Sequence, residues 1–285
     1  MKTGLYSVAP ARSGSSLLGC LLGAHTRALH LGEVVAPLRK GLDFCCLSCL
    51  EKPCPLWGGV LREDEVRAAC DAAASFRLGE QGDTSLAGKM YRQVFAAFPE
   101  MDLVVDSSKK IHWASFHAGA SGGELQFKYL FLERDLRGCW ASHKRGMPGE
   151  GAERLEKLKK QKRRREAFYS ELPDEVRMGA RYEDLAVDLD GVLARIWDFV
   201  GLRFESGADA FYRYPQHVIG GNPAPVFQYH RHQGKDTSFL DKRWDPTLRS
   251  YYEALPSGFV LDERWREELS ESELTLFSRM FPDSV

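Results

Sequence analysis

Thr3-Gly4-Leu5-Tyr6-Ser7-Val8-Ala9-Pro10-Ala11-Arg12-Ser13-Gly14-Ser15-Ser16-Leu17-Leu18 is the stretch from which the fold can be read. A β-leaning run over 3–9, carrying Leu5, Tyr6 and Val8, stops at Pro10. Residues 15–24 then turn apolar, with Leu17, Leu18, Leu21 and Leu22 at helical spacing. A turn of small residues joins the two. Such a turn can curl until consecutive N–H groups converge on an anion, aided by the positive end of the helix. The hydroxyls of Ser13, Ser15 and Ser16 add donors, and Arg12 adds a charged one. Without that role the segment is a serine-rich turn with a helix cap. A P-loop of the G-x-x-x-x-G-K-[ST] type is excluded, because the lysine that grips the terminal phosphates of a nucleoside triphosphate is missing.

Working outward, a short strand is expected over 28–31, ending at Gly32-Glu33, and helices over 63–76 and 86–98. A compact β-branched run over 101–105 stops at Asp106-Ser107-Ser108. Another strand over 126–132 stops at Glu133-Arg134-Asp135, before a helix carrying Trp140. A long exposed helix over 150–171 precedes a strand over 176–182 and a helix over 190–200. This alternation predicts a three-layer α/β fold, a central parallel sheet with a P-loop-like phosphate-binding turn. Ligands of such sheets bind at the carboxyl ends of the strands, where the polar clusters fall.

The 285 residues contain no internal repeat and no low-complexity linker, which predicts one continuous domain over 1–285. Lys and Arg number 39 against 40 Asp and Glu, a balance that argues against polyanion attraction as the main activity. No apolar run reaches the roughly 18 residues of a membrane span. The N-terminus lacks an apolar signal core, and seven cysteines is an odd count; both favour reduced thiols and a cytoplasmic location.

Arg12-Ser13-Gly14-Ser15-Ser16-Leu17-Leu18 resembles the 5′-phosphosulfate loop of the PAPS-dependent sulfotransferases, with Ala11 where proline is usual. Arg134-Asp135-Leu136-Arg137 followed by Ser142 is similar to that family's 3′-phosphate motif, with Leu136 in place of proline. Tyr182-Glu183-Asp184-Leu185 matches a third segment. Gly220-Gly221-Asn222-Pro223, with Asp241-Lys242-Arg243-Trp244 further on, resembles the C-terminal segment of many bacterial members. All four keep the family's order and span nearly the whole chain.

The resemblance implies a sulfotransferase or nucleotide-kinase-like version of the fold. It also implies 3′-phosphoadenosine 5′-phosphosulfate (PAPS) as donor, 3′,5′-adenosine bisphosphate as product, and a hydroxyl-bearing acceptor. Sulfuryl transfer asks for in-line geometry, neutralised charge on the leaving group and a base, and it requires no metal ligand. The 5′-phosphosulfate is expected on Arg12, Ser13, Gly14, Ser15 and Ser16, and the 3′-phosphate on Arg134 and Ser142. Arg134 otherwise pairs with Asp135 or Glu133 at a sheet edge. Gly221, Asn222, Lys242 and Arg243 close over the donor by family position. Lys109, or its neighbour Lys110, is the candidate for the leaving-group oxygen, with Arg12 assisting; otherwise the two lysines form a solvated pair. Glu33 resembles the base of the tyrosylprotein sulfotransferases; cytosolic members use a histidine, for which His112 is placed. Glu33 otherwise reads as a helix-capping carboxylate. Tyr182 has two readings, a face against adenine or a core tyrosine at a strand end.

A competing reading, a nucleotide-dependent phosphotransferase, would use the strand ending in Asp106 to hold Mg²⁺. An irregular cysteine-rich insertion over 44–59 carries Cys45, Cys46, Cys49 and Cys54. Three readings stay open: thiols packed beneath Trp57, a disulfide, or zinc held by Cys46, Cys49, Cys54 and a fourth ligand such as Cys45 or a distant histidine. By position the insertion is a lid over the acceptor. The basic run Lys157 to Arg165 reads as a solvated helix face or as an attractor of polyanions. Nucleic acid is disfavoured because no aromatic residue interleaves the run.

Overall fold

The β-leaning runs form strands β1 (Lys2–Val8), β2 (Ala28–Gly32), β3 (Leu103–Asp106), β4 (Leu125–Glu133) and β5 (Arg177–Arg181). The computed structural model describes residues 1–35, 46, 54, 56–76, 85–119, 123–146, 151–238, 246–256 and 259–282. All five strands pair in parallel, in the order β2-β3-β1-β4-β5, with β1 in the middle. The first helices are α1 (Ser15–Leu22), α2 (Trp57–Val60), α3 (Glu63–Ser75), α4 (Lys89–Ala97), α5 (Ile111–Ala118) and α6 (Leu136–Gly146). They are followed by α7 (Gly151–Glu171), α8 (Tyr182–Val187), α9 (Leu189–Phe199) and α10 (Pro223–His232). The last are α11 (Pro246–Ala254), α12 (Trp265–Glu268) and α13 (Glu271–Met280).

Successive strand residues point to opposite faces, and each face has its own core. Tyr6, Val8, Val104, Phe127 and Tyr129 pack with Val66, Val94, Trp113 and Phe168 from α3, α4, α5 and α7. Leu5, Val105, Leu130 and Leu132 pack with Leu18 and Leu21 of α1, and with Ile196 and Trp197 of α9. The expected three layers and parallel sheet are therefore present. Because both faces are covered, the strands read as near-continuous apolar runs.

Two expectations need correction, and one part of the fold was not foreseen. The strand over 176–182 is shorter: Val176 closes a 3-10 turn and Tyr182 already begins α8, whose first turn carries Glu183 and Asp184 against the helix's positive end. The insertion over 44–59 ends in a helical turn, Trp57–Val60; of the rest, residues 46, 54 and 56 are described. The C-terminal helices were not anticipated, although their caps were in the sequence. Asn222 accepts from the Ala224 N–H with Pro223 at the first helical position, and Ser270 with Glu273 forms a capping box. Among the described residues no helix is long and apolar enough to cross a membrane.

One contact carries the later chain to the sheet. Ile219 forms a parallel bridge with Gly32; its N–H donates to the Leu31 carbonyl (3.1 Å), and its own carbonyl accepts from the Glu33 N–H (2.7 Å). Gly32 sits at φ +83°, and a Cβ there would fall onto the Ile219 carbonyl and within 2.7 Å of Val218. Gly32→Ala is therefore expected to cost about 2–5 kcal/mol, from left-handed strain plus overpacking. Urea unfolding checks it; a change within about 0.5 kcal/mol would mean that this edge yields freely.

Candidate active site

Each strand end delivers part of the site. β1 runs into the turn before α1, β2 into Glu33, β3 into Lys109, β4 into Arg134 and β5 into Tyr182. These residues line one cavity of about 1020 Å³, together with Gly14, Ser15, Ser16, Ser142, Gly221 and Asn222. Among the described residues, seven Lys and Arg side chains line it against three carboxylates, so the space favours anions.

The turn is built by two backbone reversals. Arg12 lies at φ 67° and Gly14 at φ 92°. A Cβ on Gly14 would meet the Tyr182 ring at 2.6 Å, so only glycine lets the turn settle onto that ring. Ser13, between the two reversals, is fully buried and does not line the cavity. Its expected hydroxyl contact with a ligand is thus absent from the cavity wall. Ser15 and Ser16 do line it. The Ser16 hydroxyl accepts from the Asn222 N–H at 3.0 Å, which ties the 220–222 segment to the turn.

Lys109 is the other non-glycine residue at positive φ (59°) among the described residues. Its ammonium forms an ion pair with Glu33 and donates to the Ser15 hydroxyl at 3.2 Å. Left-handed backbone costs about 1–2 kcal/mol for a residue with a Cβ. It falls at two positions, and both put a cation at the cavity. The solvated-pair reading of Lys109 is not what the structure displays. His112 also lines the cavity, as does His143, whose pKa burial lowers, with help from Arg12 and Arg154.

Arg134 is held from three sides. Its guanidinium donates to the Arg12 carbonyl (2.8 Å) and the Asp262 carbonyl (2.7 Å), and pairs with the Asp262 carboxylate at 3.5 Å. It also stacks on Tyr182, 4.3 Å from the ring centroid. The ion-pair partner foreseen in Asp135 or Glu133 is therefore replaced by Asp262, because Asp135 is taken by Arg137. Tyr182 is a floor: its hydroxyl donates to the Val260 carbonyl at 3.2 Å while its ring supports Gly14 and Arg134.

Sequence reasoning missed Asp262, Arg264 and Tyr251, which close one side of the cavity. Burial would raise the Asp262 carboxyl, but Arg264, Arg134 and Arg145 outweigh it and bring the pKa down to about 2. No motif flagged these residues. The basic run divides. Lys157 and Lys162 make exposed pairs with Glu153 and Glu166, one helical turn away, as a solvated face should. Arg164 and Arg165 instead reach the cavity, and burial pulls the Arg165 guanidinium below its usual range.

Asp106 does not line the cavity. Its buried carboxylate accepts from Tyr91 (2.6 Å), Trp113 (3.0 Å) and the Ser108 N–H (2.8 Å), so its oxygens are committed to the core. Lys242 and Arg243 lie outside the described residues, as do Cys45 and Cys49.

No family model matches the sequence, and no curated protein does. Solved structures do match. The sulfotransferase domain of the Synechococcus PCC 7002 olefin synthase aligns with a TM-score of 0.50 and 18% identity, over 93% of this chain and 92% of that one. A sulfotransferase domain from the curacin biosynthetic pathway aligns at 0.48 and 19%, over 96% and 98%. Retinol dehydratase, solved with retinol and PAP, aligns at 0.46 and 14%, over 99% and 80%. The chain has the sulfotransferase fold.

Replacing Arg12 by glycine removes the left-handed strain without touching the carbonyl that Arg134 grips. Arg12→Gly is expected to raise unfolding free energy by about 1 kcal/mol in urea titrations. A loss of similar size would show that the guanidinium holds the fold together rather than facing a ligand.

Proposed function

We propose that the protein transfers a sulfuryl group from PAPS to an acceptor hydroxyl, in line and with the cation set described above. The observation that carries this reading is the contact between the two expected phosphate-binding elements, Arg134 Nη1 to the Arg12 carbonyl at 2.8 Å. One nucleotide with phosphates at both ends of its ribose can touch both. The residues fit such a group: the cavity is cationic, and its turn has the small residues and N–H groups that a phosphosulfate needs.

Bound PAPS supplies the sulfuryl group and a phosphate leaving group. The protein supplies the rest. Arg12 and the N–H groups and hydroxyls of Ser15 and Ser16 hold the 5′ end, and Arg134 with Ser142 holds the 3′-phosphate. Lys109 stands between the turn and Glu33, bonded to both, where its ammonium can offset charge building on a leaving oxygen. Glu33 takes the acceptor proton. The Asn222 N–H keeps the turn in place through the Ser16 hydroxyl, against which Gly221 lies closely. Tyr182 supports the binding residues from below rather than stacking on the base. With Asp106 committed to the core, Mg²⁺-dependent phosphotransfer finds no support at that position.

Calorimetry with adenosine 3′,5′-bisphosphate in EDTA tests the donor site; one-to-one binding is expected, and no heat at millimolar ligand would overturn the reading. Arg134→Ala should weaken that binding by roughly 2–4 kcal/mol. Glu33→Gln should keep the binding and lower turnover by about 10²–10⁴-fold, followed with labelled donor across a panel of alcohols and phenols. Near-normal turnover would move the base to His112.

A further inference from the structure

Far along the chain from the phosphate turn, two cysteines and a histidine meet. Cys46 and Cys54 are both buried, and His217 is partly so. His217 Nδ1 lies 3.4 Å from the Cys54 sulfur and 3.9 Å from the Cys46 sulfur, and the three ligand atoms all fall within 4.8 Å of one another. Zinc bound at about 2.3 Å to sulfur and about 2.0–2.1 Å to nitrogen in a tetrahedron spaces its sulfur and nitrogen ligands about 3.6 Å apart. The observed separations bracket that value. Two soft sulfurs and an imidazole are also the donor types that select zinc over magnesium or calcium.

We infer that Cys46, Cys54 and His217 form a structural zinc site. Binding breaks two S–H bonds, releases two protons to solvent, and forms two Zn–S bonds and one Zn–N bond. Two thiolates balance the ion's charge, so the ion with these three ligands is neutral and avoids the cost of an uncompensated charge. The fourth position of the tetrahedron belongs to a further ligand.

The site would act as a strap. The His217 carbonyl accepts from the Trp57 indole N–H at 2.6 Å, so its ring meets Cys46 and Cys54 while its backbone is held by Trp57. Two residues on, Ile219 forms the bridge to Gly32 beside Glu33, and Gly221 and Asn222 follow at the phosphate turn. A metal here would therefore hold the wall that carries the proposed base, without touching the cavity. The inference stands on its own ligands and does not require the sulfotransferase reading.

The test uses the full chain, purified under reducing conditions without chelator from zinc-supplemented medium. Elemental analysis is expected to find about one zinc per chain, falling below about one-tenth in Cys54→Ser and in His217→Ala. His217→Cys should retain the metal. Should the first two variants fail to fold, cobalt exchanged into the unmodified protein gives an independent readout. The expected result is a near-ultraviolet thiolate-to-cobalt band with the visible bands of a tetrahedral site. Overturning results are a metal content below about one-tenth per chain with no thiolate band, a Cys46–Cys54 disulfide in the reduced preparation, or full zinc retention in both variants.

Discussion

A single guanidinium touches three parts of the chain that lie far apart in sequence. Arg134, with a side chain only 6% exposed, reaches from the end of β4 to the Arg12 carbonyl, the Tyr182 ring and Asp262. The turn after β1, the start of α8 and the segment before α12 are thereby held in one place. A buried charge of this kind is tolerable only while its partners stay, and losing one partner commonly costs about 3–5 kcal/mol. The same side chain also lines the cavity. Stability and the proposed phosphate contact thus rest on one side chain, which holds the turn, Tyr182 and Asp262 together.

Around that clasp the site is assembled from charge and strain together. Arg12 and Lys109 occupy left-handed backbone that glycine would adopt more easily. In each case the strained residue brings a cation to the cavity, so the surrounding sheet stabilises a conformation the residue alone disfavours. Lys109 and Glu33 are paired across the ends of neighbouring strands, β3 and β2. Parallel pairing matters here. It brings every carboxyl end to the same edge, which is why residues 33, 109, 134 and 182 share one cavity.

Beyond β5, the described part of the chain contributes walls rather than strands. Gly221 and Asn222 meet Ser16, while Asp262 and Arg264 close the far side behind Arg134. The stretch 217–219 links both regions of interest, carrying His217 toward the two cysteines and Ile219 to the edge of the sheet. The sulfur–imidazole cluster therefore lies two peptide units along the chain from the residue bridged to the strand end that bears Glu33.

Much of this was legible before any coordinate was known. Strand runs that end at Pro10, Gly32, Asp106 and Glu133 marked both the elements and the polar edge, because apolar periodicity and turn residues are local signals. The serine-glycine turn, Lys109, Glu33 and Arg134 were singled out by those endings together with the resemblance to sulfotransferase motifs. What stayed hidden was set by contacts distant in sequence. Nothing near Asp262 announces a partner 128 residues away, and Ser13 looks like Ser15 until the flanking reversals bury it. His217 carries no motif, and its meaning appears only when the chain returns it to Cys46 and Cys54. The sequence by itself determined the layers, the parallel order of strand and helix, and the chemistry offered at each strand end. Tertiary structure alone decided which charges face one another, since pairing depends on positions that only the packed sheet brings within a few ångströms.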